Sequence, residues 1–182
     1  MLYFATENKQ KLENANVILN PLGIVLQQKI LPIVEIQSHS LEEIAQDKAK
    51  QAFEKIKKPL VVKDDGWFIT ALNGFPGSYM KFMNEWLSPD DFLRLIEPYK
   101  NREIVFKDAL VYIDTNTTKL FTKIIQGKIA KEPEGKGVPS AMISTFRKDG
   151  KTMAECINEN IHFTDGKTSI WYDFAKWYKK YK

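Results

Sequence analysis

Apolar positions recur along this chain in two periods, and the way the periods alternate predicts its elements. Leu2-Tyr3-Phe4-Ala5 is a short apolar run that reads as a buried strand. Leu12, Ala15, Ile18 and Leu19 then return at helical spacing, and Asn20-Pro21-Leu22-Gly23 stops that helix. Ile24 to Ile30 reads as a second strand. Ser40-Leu41-Glu42-Glu43 is a capping box, and the helix it opens carries Leu41, Ile44, Ala45, Ala49, Ala52, Phe53 and Ile56 on one stripe. Lys48 is the charged residue in that stripe, and Lys57-Lys58-Pro59 ends the helix. Leu60-Val61-Val62 is a third strand-like run. It gives way to Asp64-Asp65-Gly66, so the two carboxylates are expected at a strand end, ahead of the turn Asn73-Gly74-Phe75-Pro76-Gly77.

Farther along, Ser88-Pro89-Asp90-Asp91 has the form of a helix start, with an N-cap serine, proline at N1 and acids in the first turn. Glu103 to Ile113 and Lys119 to Ile129 are strand-rich and joined by Asp114-Thr115-Asn116-Thr117-Thr118, which predicts a β-hairpin forming a lobe over roughly 103–129. Lys131 to Gly137 is a loop, Ala141 to Phe146 a short strand and Asp149-Gly150 a turn. Trp171, Phe174, Tyr178 and Tyr181 share one side of a C-terminal helix, with Trp177 at its margin, a stripe that suits core or interface packing. Strands alternating with helices, followed by an inserted hairpin, predict an α/β fold with a mixed sheet, flanking helices and two lobes around a cleft, residues 1–182 forming one domain.

Composition narrows the partners. The chain has 182 residues, 43% of them apolar and 27% charged, as expected of a globular protein with a real core. Its net charge of +4 is mild, and the lysines are scattered singly or in pairs such as Lys57-Lys58 and Lys179-Lys180. Without an arginine-rich run, no nucleic-acid partner is expected, whereas the same charge suits a small polyanion such as a nucleotide. Cys156 is the one cysteine, which excludes an internal disulfide and a cysteine-based zinc site. The apolar start is too short for a signal peptide and no stretch is long enough to span a bilayer, so the expectation is a cytoplasmic protein without a membrane partner.

Three stretches carry candidate chemistry. Thr6-x-Asn8-x-x-Lys11 falls where the first strand meets the first helix, and a helix N-terminus favours an anion. Glu35 stands among apolar residues before the capped helix. Asp64 and Asp65, the glycine-rich turn and Lys81 together resemble a metal-plus-phosphate site. Residue by residue, an N-cap, a surface acid and a solvated turn account for the same stretches.

Taken together, Thr6-x-Asn8-x-x-Lys11, Glu35-Ile36-Gln37, Val62-x-Asp64 and Ala71-Leu72-Asn73-Gly74-Phe75-Pro76-Gly77-x-Tyr79-x-Lys81 resemble the inosine triphosphate pyrophosphatase (Ham1-like) family. The match is good over roughly residues 1–100 and weak beyond. What the resemblance implies is an elongated, twisted mixed sheet with a nucleotide in its central cleft. It also implies Mg²⁺-dependent hydrolysis of a nucleoside triphosphate between the α and β phosphates, on deaminated purine nucleotides such as ITP, dITP and XTP. Asp64 then matches the catalytic carboxylate, Glu35 the acidic metal residue, Thr6, Asn8 and Lys11 the triphosphate loop, and Lys81 the lysine after the turn. Mn²⁺ is a possible substitute for Mg²⁺, and the family commonly forms homodimers.

The chain also departs from the family. Glu7 replaces a glycine, Lys63 an acid, and Asp65 a serine or threonine. In one reading the metal carboxylates have shifted, so that Asp64 and Asp65 serve the ion together and Lys63 faces the phosphates, with Gly66 permitting the bend this needs. Lys63, Gly66 and Tyr172 are then further phosphate or base contacts. The base-reading segment aligns with Val138-Pro139-Ser140-Ala141-Met142, and the Ser-His-Arg near the C-terminus is replaced around Trp171-Tyr172-Asp173. Base preference is therefore open. The alternative is a catalytically degenerate homologue that binds a nucleotide or a partner.

Overall fold

In the computed structural model, which describes residues 1–164 and 168–182, the first half follows the alternation of its apolar pattern. β1 (Leu2–Ala5) leads into α1 (Lys9–Leu19), β2 (Leu26–Lys29), α2 (Leu41–Ile56) and β3 (Leu60–Ile69). β1 pairs in parallel with both β2 and β3, so the crossover through α1 steps one way across the sheet and the crossover through α2 steps back. Right-handed crossovers that step in opposite directions place their helices on opposite faces. Side-chain parity agrees: Val61 packs in one core with Ala15 and Leu19 of α1, while Asp64, of opposite parity, meets Lys48 of α2.

β3 is longer than its first apolar run suggests. It passes through Asp64 and Asp65 without a break, so these carboxylates are mid-strand and not at a strand end. Gly66 does not serve as a bend. β4 (Pro76–Gly77) pairs antiparallel with β3, and a Cβ on Gly66 would lie 2.6 Å from the Gly77 carbonyl oxygen. The glycine is there because another backbone comes close.

The remaining elements are α3 (Met80–Trp86), α4 (Pro89–Ile96), β5 (Glu103–Ile113), β6 (Thr118–Ile129), α5 (Pro139–Ile143), β7 (Ser144–Thr145), α6 (Met153–Asn158) and α7 (Ile170–Tyr181). The seven-stranded mixed sheet has the order β2-β1-β3-β5-β6-β7, with β4 on β3, which is the α/β class expected. Ser88 and Asp91 close a full capping box on α4. The Ser40 box is half made: Ser40 Oγ accepts from Glu43 N at 3.2 Å, but the Glu43 carboxylate takes the Ser38 hydroxyl at 2.7 Å. The strand expected over Ala141–Phe146 is helix in its first half, because Pro139 starts α5 at its first position and leaves two residues to β7. α3 and α6 were not expected, although Thr152 and Glu155 form a capping box for α6 that is legible as T-x-x-E.

The chain divides into two compact units. One comprises Met1–Asp65, Asp108–Lys123 and Ser169–Lys182, the other Gly66–Lys107 and Ile124–Thr168, so the strands of the 103–129 hairpin contribute to both. In the first, Phe4, Leu19, Val61, Leu110 and Tyr112 pack with Ile170, Trp171 and Phe174 of α7. Fully burying such a side chain contributes roughly 1.5–3 kcal/mol, so the aromatic stripe of α7 belongs to its own unit's core. In the second, Trp67, Ile69, Phe92, Ile96, Phe106 and Phe146 form a separate core. Among the described residues, no helix is long and apolar enough to cross a membrane.

Candidate functional site

The strand order reverses at β1, and in open α/β sheets the carboxyl end of the strand at such a reversal is where ligands bind. The chain leaving that end is Thr6–Lys11. Thr6 N donates to Lys29 O at 3.3 Å, Thr6 Oγ1 accepts from Asn8 N at 3.1 Å, and Asn8 Oδ1 caps α1 by accepting from Lys11 N at 3.2 Å. The cap leaves the N–H groups of Lys9 and Gln10 without partners inside the helix, at the positive end of its dipole. The Asn8 amide and the Thr6 hydroxyl keep protons to donate. The Glu7 side chain is exposed.

Beside this loop, seven side chains of the first unit form a file of alternating charge. On one face of β3, Lys48 Nζ lies 2.6 Å from Glu35 Oε2 and 3.0 Å from Asp64 Oδ2. On the other, Asp65 Oδ1 is held by Lys11 Nζ at 2.8 Å and Lys63 Nζ at 3.1 Å, and Lys63 is closed from behind by Asp108 of the adjacent strand β5. Lys63 and Asp65 share parity with Val61, and Asp108 with Leu110 and Tyr112, so this half of the file extends the apolar core face.

The two halves differ electrostatically. Burial pushes the Asp64 carboxyl above its ordinary value, against the pull of Lys11 and Lys48. Burial also works to raise Asp65, but Lys11 and Lys63 overcome it and hold that carboxyl well below the usual range. Burial works to lower both Lys48 and Lys63; Asp64 and Glu35 raise the first, and Asp108 and Asp65 raise the second strongly. Asp108, 6% exposed, is pushed up by burial despite Lys63.

Four carboxylates face three ammonium groups, so the file is one positive charge short of neutral before any anion arrives. The deficit falls on the Glu35–Asp64 side, where two acids share one lysine. Asp64 Oδ2 is buried and accepts no well-aligned hydrogen bond, although Lys48 lies within ion-pair reach. Two carboxylates that share one ammonium group fit a hard divalent cation that takes oxygen ligands and completes its shell with water and phosphate. Among the described residues no three His, Cys, Asp or Glu side chains converge, so the protein side of such a site is two carboxylates at most.

The remaining expected residues have placements of their own. Asp65 keeps different partners from Asp64, so the two are not presented to one ion, and Lys63 is enclosed between Asp65 and Asp108. Lys81 is exposed in the first turn of α3, in the second unit, after a turn in which Asn73, Gly74 and Gly77 have positive φ. Gly66 is fixed by the Gly77 carbonyl. Tyr172 is half-buried on α7, and its neighbour Asp173 pairs with Lys123 at 2.9 Å. In the segment that replaces the base reader, Ser140 and Ala141 are buried in α5 and Ser140 N donates to Asn84 Oδ1 at 2.9 Å. Sequence reasoning missed Lys48 and Asp108 as members of the site. Each has the same signal, a single charge in an otherwise apolar stripe: Lys48 at the helical spacing of α2, and Asp108 at the alternate positions Ile104, Phe106, Leu110 and Tyr112 of β5.

Residues 2–161 match the Ham1 family. A dITP/XTP pyrophosphatase of Thermococcus kodakarensis is 33% identical over 181 residues, covering 98% of this chain and 97% of that protein. One of Methanopyrus kandleri is 36% identical over 178 residues, covering 97% and 95%. The structure of the Staphylococcus aureus Ham1 protein superposes with a TM-score of 0.79 at 22% identity, covering 100% of this chain and 99% of that one.

Proposed function

This chain belongs to the Ham1 family, and from that premise we propose that it hydrolyses a deaminated purine nucleoside triphosphate to the monophosphate and pyrophosphate. The observation that carries the reading is Asp64. It is a buried carboxylate with a raised proton affinity, paired with Lys48 at 3.0 Å through an oxygen that accepts no well-aligned hydrogen bond, on β3, the strand beside the reversal at β1. The substrates follow the names of the relatives: dITP and XTP, with ITP as a close analogue.

In this proposal the triphosphate lies against Thr6, Asn8, the free N–H groups of α1 and Lys11, while Lys81 is carried as a phosphate contact on the family resemblance alone. A positive helix end and the Lys11 ammonium offset the chain's negative charge where it would repel an attacking water. Asp64 Oδ2 accepts the proton of that water as its oxygen bonds to phosphorus and pyrophosphate leaves. Lys48 holds Asp64 and Glu35 in place. Glu35 and Asp64 are the residues that would hold Mg²⁺, or Mn²⁺ in substitution, and the ion supplies charge neutralisation on the phosphates. Tyr172 remains a candidate base contact. A cytoplasmic homodimer is part of the same proposal.

Lys63 and Glu7 were the residues that favoured a degenerate homologue. The charge of Lys63 is neutralised by Asp65 and Asp108 and the Glu7 side chain is exposed, which supports an active enzyme. The test is pyrophosphate release from dITP, XTP, ITP and the common nucleoside triphosphates, with Mg²⁺, with Mn²⁺ and with chelator. Release from the deaminated substrates that stops on chelation is expected. A folded protein that binds these nucleotides and turns none over would instead establish the degenerate reading.

A further inference from the structure

We propose that Asp65 is a positioning residue for Lys11: backed by Lys63 and Asp108, it fixes the Lys11 ammonium beside the α1 N-terminus and thereby sets how tightly the protein grips a polyphosphate chain. This rests on the placing of the phosphate site under the proposed function. The geometry is a relay of three contacts. Asp108 on β5 holds Lys63 on β3, Lys63 reaches Asp65 Oδ1 at 3.1 Å, and the same oxygen meets Lys11 Nζ at 2.8 Å.

A carboxylate held by one lysine from the strand side is immobilised before Lys11 reaches it. Lysine carries its charge on a long flexible stem and has three N–H donors. A single fixed acceptor removes the rotamer freedom that phosphate binding would otherwise have to remove and leaves two donors for phosphate oxygens. Exposure grades the same way. Asp108 and Lys63 are closed off at 6% and 12%, whereas Asp65 and Lys11 open to solvent at 28% and 27%. The rigid end of the relay is inside and the phosphate-facing end is at the surface.

The test is a double-mutant cycle of Asp65→Asn and Lys11→Met, read by calorimetric binding of inorganic tripolyphosphate and, separately, by KM and kcat on dITP. Asp65→Asn is expected to weaken tripolyphosphate binding and raise KM by about tenfold while kcat changes less than about threefold. In the Lys11→Met background the same change should have no further effect. Additive losses, or a loss that appears in the Mg²⁺ dependence and not in the coupling to Lys11, would overturn the inference and make Asp65 a metal residue. A wild-type protein that binds no tripolyphosphate overturns the phosphate site and the inference with it. A protein that binds tripolyphosphate with the expected coupling but turns over no nucleotide sustains the inference while the proposed function fails. Should Asp65→Asn not fold, Asp65→Ser replaces it. Amine acylation of the wild type gives an independent reading: Lys11 should react more slowly than the exposed Lys9 one helical position from the cap, and equal rates would contradict a held ammonium.

Discussion

Asp64 and Asp65 are neighbours on one strand, of one residue type, and the two faces of β3 give them opposite characters. On the α2 face two acids share a single lysine, so Asp64 is under-compensated and binds its proton more tightly than a free carboxylate. On the α1 face two lysines share Asp65, which is compensated twice and gives up its proton readily. Burial alone would push both carboxyls the same way. The number of ammonium groups per carboxylate separates the two, and the proposed function rests on that difference: Asp64 accepts a proton or a metal ion and Asp65 serves as a counterion.

Four substitutions would break or sharpen that contrast. Asp64→Asn removes the proton acceptor at nearly constant shape, so kcat for pyrophosphate release should fall by about a thousandfold with the fold intact by circular dichroism. A fall of less than about tenfold would remove Asp64 from the chemistry. Asp108→Ala takes the β5 carboxylate from the enclosed Lys63, and breaking a buried pair from one side costs about 3–5 kcal/mol, measured by urea unfolding. A smaller loss would mean that water reaches Lys63.

Lys48→Met takes from Asp64 its ion-pair partner among the described residues and leaves the pull of Lys11, so the carboxyl should rise further. The acidic limb of the kcat/KM profile should then move to higher pH by about one unit, and an unmoved or lowered limb would speak against Lys48 as its counterion. The smallest effect is pH-dependent. Asp65 is depressed in the folded state, so its contribution is complete above the unfolded value near 3.8 and is lost as pH falls below it. Asp65→Asn should therefore cost about 1–3 kcal/mol at pH 7 and progressively less as pH falls below about 4, the ordinary carboxylate range.

How much of this was legible in the sequence depends on the range over which each feature is decided. The first half of the fold is written in local periodicity: the apolar spacing of α1 and α2, the Ser40 and Ser88 caps and the short runs at Leu2 and Leu60 are each fixed within one element. The start of β3 was legible but its length was not, because Asp64, Asp65 and Gly66 have the composition of a turn and are held extended by partners distant in sequence. α5 was misread as a strand for a related reason, since the apolar run Ala141–Phe146 is too short to show a period and Pro139 decides it.

In the site, the loop Thr6–Lys11 and the carboxylates Glu35 and Asp64 could be named from their resemblance to a family pattern. Their partners could not. Lys48 is 13 residues from Glu35 and 16 from Asp64, and Asp108 comes from a strand that only the sheet order brings beside Lys63. In the sequence, the departures Lys63 and Asp65 read as a phosphate-facing lysine and a shifted metal carboxylate. In the structure they compensate one another, which a linear reading has no means to express.

The contrast between the two aspartates is open to direct measurement, by following the side-chain carboxyl ¹³C resonances of Asp64 and Asp65 through an acid titration of the metal-free protein. Asp64 should titrate above the ordinary value of 3.8, and Asp65 should remain ionised well below it. If Asp65 takes up its proton at a higher pH than Asp64, the ion-pair stoichiometry does not set their roles, and the assignment of Asp64 as the proton acceptor fails with it.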